Sequence, residues 1–266
     1  MHMTSPPPPI RAFFTPTRTT FLASLLLSLI AWLEGTINRD GILYVKAAHI
    51  FLEDGFTAAR AVFNWPFLSI SMAVVAKISG LRPEHAGYLL NAIFMAGACS
   101  LMVACVERRQ ASVAWMSSLV VLALPGVNEY RNELLREYGC WFFVMLAFWL
   151  SLKWSEHPRW LSAVGIQIAL GTAALFRPEA LMLFPALIAW QWFDATHRDR
   201  WRRLLMLGAL PLVGGIVLLS LHAGGKLDKG SRLAGEFSRM NTARFDAKAQ
   251  ALAATLIDYA RVHART

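Results

Sequence analysis

Long runs of apolar residues alternate with short polar segments along the whole chain. The apolar residues do not recur at a helical or strand period, as they do in a half-buried element of a soluble protein, but fill continuous blocks. These blocks cover residues 19–37, 66–81, 86–106, 110–128, 138–152, 160–176, 180–193 and 204–225. Because about 20 largely apolar residues cross a bilayer as a helix, the pattern predicts an all-α, polytopic membrane protein.

The positions of the basic residues reduce the eight blocks to about seven transmembrane helices. Cytoplasmic loops are rich in Lys and Arg. If block 66–81 lies on the outer surface instead of crossing, the basic residues 198–203 fall on the cytoplasmic side, in line with this rule. The chain then has three parts: a cytoplasmic Pro-rich N-terminus (1–18), a transmembrane domain (19–222) and an extracytoplasmic basic tail (223–266).

The first outer loop, residues 38–85, is too long for a plain connection. Asn38 is a favourable residue before a first helical turn, and that helix is expected to stop at Gly55. Pro66 suits the first turn of a second helix that ends at Gly80. The sequence therefore predicts two juxtamembrane surface helices in this loop.

Composition excludes several classes of protein. Hydrophobic residues make up 56% of the chain and charged residues 16%, which excludes an ordinary soluble protein and a disordered chain. The formal net charge is +9, but the basic residues stand in short clusters between apolar blocks, so no nucleic-acid partner is expected. The bilayer is the expected partner, and a bacterial inner membrane is the expected location. The three cysteines lie inside apolar blocks, and neither a disulfide framework nor a metal site is expected from them.

Asp40 and Tyr44 form the first candidate constellation. Asp40 stands just beyond the outer end of the first block, and Tyr44 follows one helical turn later on the same face. A carboxylate near a low-dielectric boundary suits a general base. The alternative is that Asp40 only complements the dipole of the helix that it begins.

Three glutamates form the second constellation. Glu129, Glu133 and Glu137 are predicted to share one helical face at intervals of four residues, and like charges at that spacing repel each other. Arg131, Arg136 or a divalent cation would then compensate them. The alternative is a solvated interfacial helix with salt bridges.

The third constellation is Arg177-Pro178-Glu179, between two blocks. An arginine at the outer end of a span runs against the usual charge distribution, and its guanidinium suits bidentate phosphate binding. The alternative is an interfacial anchor whose stem lies along the apolar region.

Several short motifs, taken in their order along the chain, resemble the GT-C superfamily of polytopic glycosyltransferases. The likeness is strongest to the bacterial family 39-like group, which includes protein O-mannosyltransferases and lipid A aminoarabinose transferases. The motifs are Arg39-Asp40-Gly41-x-x-Tyr44, Asn64-Trp65-Pro66-Phe67, Ala86-x-Tyr88-Leu89-Leu90-Asn91, Pro125-x-x-Asn128-Glu129-Tyr130-Arg131 and Phe176-Arg177-Pro178-Glu179.

The resemblance implies transfer of a sugar from a polyprenyl-phosphate donor to a cell-envelope acceptor on the extracytoplasmic face, with inversion. It implies that the carboxylate of Asp40 is the catalytic base that deprotonates the acceptor, and that Glu129 and Glu133 support the catalysis. It further implies a donor site for phosphate and sugar made of Arg39, Tyr44, Lys46, Arg131, Arg177 and Glu179. No cofactor is certain, and participation of a divalent cation, Mg²⁺ or Mn²⁺, stays open.

Two other functions remain open at this point. A carrier or flippase for polyprenyl-linked glycans would use the same arginines without needing Asp40. Members of the resembled group also run well beyond 266 residues, so an inactive, truncated relative that acts as an assembly partner is the other alternative.

Overall fold

The computed structural model describes residues 14–34, 37–194 and 200–223. Within those ranges the chain forms α-helices and short 3-10 turns and no β-strand, which confirms the all-α prediction. Most of the predicted Pro-rich N-terminus and the basic tail after residue 223 lie outside the described residues.

Ten α-helices follow one another in the described ranges. They are α1 (Pro16–Glu34), α2 (Arg39–Val62), α3 (Phe67–Ser79), α4 (Pro83–Arg109), α5 (Ala114–Ala123), α6 (Pro125–Asn128), α7 (Glu137–Glu156), α8 (Trp160–Phe176), α9 (Leu183–Asp194) and α10 (Arg200–Ala223). The chain divides into two compact units, Met1–Val213 and Gly214–Thr266, and the second is described only as the end of α10.

Helices α1 and α4 pack antiparallel. At one end, Thr17 Oγ1 donates to Glu107 Oε2 (2.6 Å). At the other, the rings of Trp32 and Tyr88 stack with centroids 5.7 Å apart. The start of each helix therefore lies beside the end of the other.

Helix α7 runs parallel to α4, and α8 returns antiparallel to α7. Arg108 and Glu156 form an ion pair where α4 and α7 both end. Arg177, directly after α8, pairs with Glu137 at the start of α7 (Nη1 to Oε1, 2.8 Å). The bundle of α1, α4, α7 and α8 thus has two ends, which we name the Glu137 end and the Glu156 end.

Helices α2 and α3 pack on each other and on α4, and they contribute to the core of the Glu137 end. In that core the buried side chains of Tyr44, Leu134 and Phe176 form one apolar cluster. Helix α2 leaves helical geometry at Gly55 (φ 82°), and α3 ends at Gly80 in the left-handed region (φ 74°), which glycine adopts without steric cost. Both helices predicted for this loop are present, and both glycines end regular helix where predicted.

Helix α1 turns its polar residues toward the bundle and its apolar residues outward. Thr20, Ser24 and Ser28 are buried. Exposed apolar side chains on the same helix are Leu22, Leu26, Leu27, Ile30 and Leu33. In the described ranges two segments, Pro16–Leu33 and Pro83–Arg109, are long and apolar enough to cross a membrane. These two helices indicate membrane association.

The predicted helical face of Glu129, Glu133 and Glu137 is wrong. Pro125 lacks an N–H and begins the four-residue helix α6 after α5 has ended. Residues 129–136 then form turns, and Glu137 is the first residue of α7. The three carboxylates therefore do not lie on one helix.

Candidate functional site

The first turns of α2 carry four of the predicted site residues. Arg39, Asp40 and Lys46 are exposed, whereas Tyr44 is buried with 4% of its surface accessible. The predicted spacing of one turn between Asp40 and Tyr44 is present. Tyr44 belongs to the apolar cluster of the Glu137 end, and the exposed Asp40 is close enough to act on the Tyr44 hydroxyl.

Charged groups from three parts of the chain act on the Tyr44 hydroxyl. Burial raises the pKa of Tyr44 to about 12; among the nearby charges, Arg136 and Arg177 act to lower it, while Glu137 and Asp40 act to raise it. The fold thus brings the start of α2, the start of α7 and the segment after α8 together. Tyr44 remains a neutral hydroxyl at physiological pH.

Arg177 lies between two carboxylates. Its Nη1 donates to Glu137 Oε1 (2.8 Å) and its Nε to Glu179 Oε2 (3.4 Å). Burial would lower the pKa of Arg177, but the two carboxylates outweigh it and raise that pKa. Burial would likewise raise the pKa of Glu179, but a backbone hydrogen bond and Arg177 hold it below its usual range. The predicted neighbours Arg177 and Glu179 are both charged at neutral pH.

Arg136 belongs to the same group, although the sequence pointed to it only as compensation for the glutamates. Its guanidinium lies over the ring of Phe63, with Cζ 5.8 Å from the ring centroid. Its Nε and Nη1 atoms are buried and have no hydrogen-bond partner among the described residues, and the same holds for Glu137 Oε2. The ring of Phe63 is also 5.3 Å from the ring of Tyr44. Both a guanidinium and a carboxylate at the Glu137 end thus have buried atoms free to bond to a ligand.

The signal for Arg136 and Glu137 in the sequence was weak. Both stand in the charged segment before α7, but nothing local shows that Phe63 and Tyr44, which are far away in the chain, lie beside them. Only the packing of α2 on the bundle creates that neighbourhood.

Arg131, predicted to bind phosphate, lies elsewhere. Only 6% of its surface is accessible. Its Nη1 donates to Ser24 and Ser28 of α1, and its Nε to Asn128 Oδ1 (2.6 Å). The hydrogen bonds of Arg131 thus lead to α1 and α6, whereas those of Arg177 lead to the start of α7 and to Glu179.

The predicted supporting glutamates differ in their surroundings. Glu129 is exposed, whereas Glu133 is half-buried and accepts a hydrogen bond from Asn38 Nδ2 (3.4 Å). Asn38 was predicted to cap α2, but its Oδ1 accepts the N–H of Leu134 instead (3.1 Å). In the part of the chain that the structure describes, no three His, Cys, Asp or Glu side chains form a group that could hold a metal ion.

Comparison of the chain with protein-family models, with curated proteins and with solved structures gives no match. The resemblance to the GT-C glycosyltransferases therefore depends on the motifs quoted above.

Proposed function

We propose that the chain is a seven-span protein of a bacterial inner membrane, with a cytoplasmic N-terminus and with the Glu137 end outside. Two long apolar helices and the outward-facing leucines of α1 support membrane insertion, because such a surface is stable in lipid. The remaining spans are α5 with α6, α7, α8, α9 and α10, while α2 and α3 lie on the outer surface. Arg18, Arg109 and Arg159 are exposed at the Glu156 end, as cytoplasmic residues would be.

Cysteine labelling tests this topology, since the three native cysteines are buried and give a low background. Asn132 and Gln110 are both exposed. Asn132 lies shortly before α7, at the Glu137 end, and Gln110 lies directly after α4, at the Glu156 end. In intact cells an impermeant maleimide should label Asn132→Cys, and Gln110→Cys only after permeabilisation. Labelling of both positions from the same side would contradict the proposed topology.

The proposed activity is transfer of a sugar from a polyprenyl-phosphate donor to an envelope acceptor at the Glu137 end. The observation that carries it is the Arg136 guanidinium, held over Phe63 with Nε and Nη1 buried and without partners. A buried donor without a partner is costly, and a bound phosphate would satisfy it. Arg177 supplies a second cation nearby, and the aromatic surroundings suit the first isoprene units.

Asp40 is the proposed base. It lies exposed at the edge of the same group, where an acceptor arriving from water can reach it. The acceptor hydroxyl gives its proton to Asp40, its oxygen bonds to the anomeric carbon, and the bond from that carbon to the phosphate oxygen breaks. Arg136 and Arg177 stabilise the charge on the departing polyprenyl phosphate. Arg39, Lys46 and Glu179 line the rim of this site, and Glu129 and Glu133 support it from the segment before α7.

Separate assays of sugar transfer and of donor binding distinguish the role of Asp40 from that of Arg136. Membranes with the full chain should move radiolabelled sugar from a polyprenyl-phosphate donor to the lipid or glycan fraction. Asp40→Asn should lower transfer at least about 100-fold while leaving binding of the polyprenyl phosphate intact. Asp54→Asn, an exposed acid on the same helix, is the matched control and should not change transfer.

Arg136→Gln should lower binding about tenfold or more, because the cation beside the phosphate is removed. Arg60→Gln, an exposed arginine in the last turn of α2, is its control. Binding without any transfer by the unaltered chain would favour the carrier or flippase. If the unaltered chain shows neither binding nor transfer, the result favours the inactive relative and contradicts the proposed enzyme.

A further inference from the structure

Four polar residues form a stripe along one face of α1. Thr17, Thr20, Ser24 and Ser28 follow one another at intervals of three or four residues, so their side chains share one face. Thr17 bonds to Glu107 of α4, and the hydroxyls of Thr20 and Ser118 of α5 lie 2.6 Å apart. The last two residues of the stripe, Ser24 and Ser28, accept hydrogen bonds from Arg131. The stripe fastens α1 to three different parts of the chain.

Arg131 binds α1 at two successive turns. Its Nη1 lies 3.0 Å from Ser24 O, 3.1 Å from Ser24 Oγ and 2.7 Å from Ser28 Oγ. At 1.5 Å per residue these serines stand about 12 and 18 Å along α1 from Pro16, near the middle of the helix. In the described ranges no ion pair includes Arg131. A buried guanidinium held by oxygens of neutral groups is costly to place, which favours a specific role over simple stability.

The segment that Arg131 anchors leads directly to the candidate site. The Tyr138 hydroxyl donates to Tyr130 O, which folds the turns back onto α7. Farther along, the N–H of Leu134 donates to Asn38, and Asn91 Nδ2 donates to Glu133 O (3.5 Å). The segment is thus held by α1 at Arg131, and by Asn38, directly before α2, and by α4 at residues 133 and 134.

We propose that Arg131 is a positioning residue: by bonding to Ser24 and Ser28 it fixes the 129–136 turns, and through them the placement of Arg136 and Glu137. This inference rests on the proposed function, in which Arg136 binds the phosphate. It replaces the predicted direct contact of Arg131 with phosphate. Arg131 acts through its neighbours and touches no substrate.

The test uses the full chain and two readouts. The first is the rate at which an impermeant maleimide labels Glu133→Cys, a half-buried position in the anchored turns. Arg131→Lys keeps the charge but loses the planar set of donors, and should raise this rate about tenfold. Ser28→Ala, which removes one hydrogen bond, should raise it less and serves if Arg131→Lys does not fold.

Thr20→Val is the matched control, because it breaks a buried bond of the same stripe without touching the turns. It should leave the labelling rate unchanged. The second readout, in chains that keep Glu133, is binding of farnesyl phosphate. Arg131→Lys should weaken this binding about tenfold, and Thr20→Val should not.

Equal labelling rates in Arg131→Lys and Thr20→Val would overturn the proposal, as would faster labelling with unchanged binding. If the unaltered chain does not bind farnesyl phosphate, the proposed function fails. The labelling comparison still decides whether Arg131 holds the turns, so the two failures are distinguishable.

Discussion

The two ends of the bundle each pair an arginine with a glutamate, but the glutamates differ in burial. At the Glu156 end, Arg108 binds Glu156 with both nitrogens of one edge, and the glutamate side chain is 44% exposed. At the Glu137 end, Glu137 is 23% exposed, and one of its oxygens is buried without a partner. The glutamate at the Glu137 end is thus the less exposed of the two, whereas Arg177 (35%) is slightly more exposed than Arg108 (28%).

The exposure of a charged or polar group decides what it contributes to stability. Water satisfies exposed ions, so they contribute little to stability and their position follows the topology. Buried polar atoms without partners are costly, and proteins keep them mainly where a ligand completes the bonding. At the Glu137 end such atoms belong to Glu137 and to Arg136, whose guanidinium lies over Phe63, and it is there that we place the proposed site.

Glycine substitution should affect the two ends in opposite directions. At the Glu137 end, a Cβ on Gly139 would stand 2.5 Å from Phe176 Cε1, and that ring is buried among other aromatic rings. Gly139→Ala should therefore destabilise the protein by about 2 kcal/mol through overpacking. Toward the Glu156 end, a Cβ on Gly165 would meet Leu150 at an ordinary 3.6 Å, and Gly165→Ala should stabilise by about 0.5 kcal/mol.

Unfolding in detergent, followed by circular dichroism, measures both variants. Equal effects of the two substitutions would show that close packing is not special to the Glu137 end.

Removal of each arginine compares the ion pairs directly. Arg177→Gln leaves the half-buried Glu137 carboxylate without its cation, and should cost about 1 kcal/mol of unfolding free energy. Arg108→Gln should cause no measurable loss, because water solvates Glu156 once the arginine is gone. Chemical denaturation at low and high salt measures the difference. An equal loss in both variants would show that Glu137 and Glu156 do not differ in how well water solvates them.

Alkaline pH offers a smaller test of burial at the Glu137 end. Burial raises the pKa of Tyr44 from 10.0 to about 12, so the folded protein holds this proton more tightly than the unfolded chain. The resulting stability is complete below pH 10 and is lost as the pH rises from 10 to 12. Tyr44→Phe should reduce this decline in melting temperature, whereas Tyr130→Phe, at an exposed tyrosine, should not. The same slope in all three proteins would mean that Tyr44 is not desolvated.

Much of the fold followed from local features of the chain. The apolar blocks predicted the long helices, and Gly55, Pro66 and Gly80 marked where α2 and α3 bend, begin or stop. These features are local because a helix satisfies its own backbone hydrogen bonds and ends where glycine or proline interrupts them. The failure at residues 129–136 came from charge spacing, which does not show that α5 ends at Ala123 and that the short helix α6 ends at Asn128.

The candidate site could be predicted only in part. Asp40, Tyr44, Arg177 and Glu179 were chosen from the sequence, and the structure brings them toward one end of the bundle. The sequence also selected Arg131, which the structure buries against α1. The sequence does not show whether the side chain of a charged residue in a short connection points to solvent, to a ligand or into the bundle.

The sequence by itself determined the helical class, the helix ends set by glycine and proline, and the separation of apolar blocks from basic segments, because each depends on neighbours within a few residues. The tertiary structure alone decided that Arg136 lies over Phe63 beside Tyr44 and that Arg131 bonds to α1. Those contacts join residues dozens of positions apart. They form only when helices pack, and packing decides which charges lose their water.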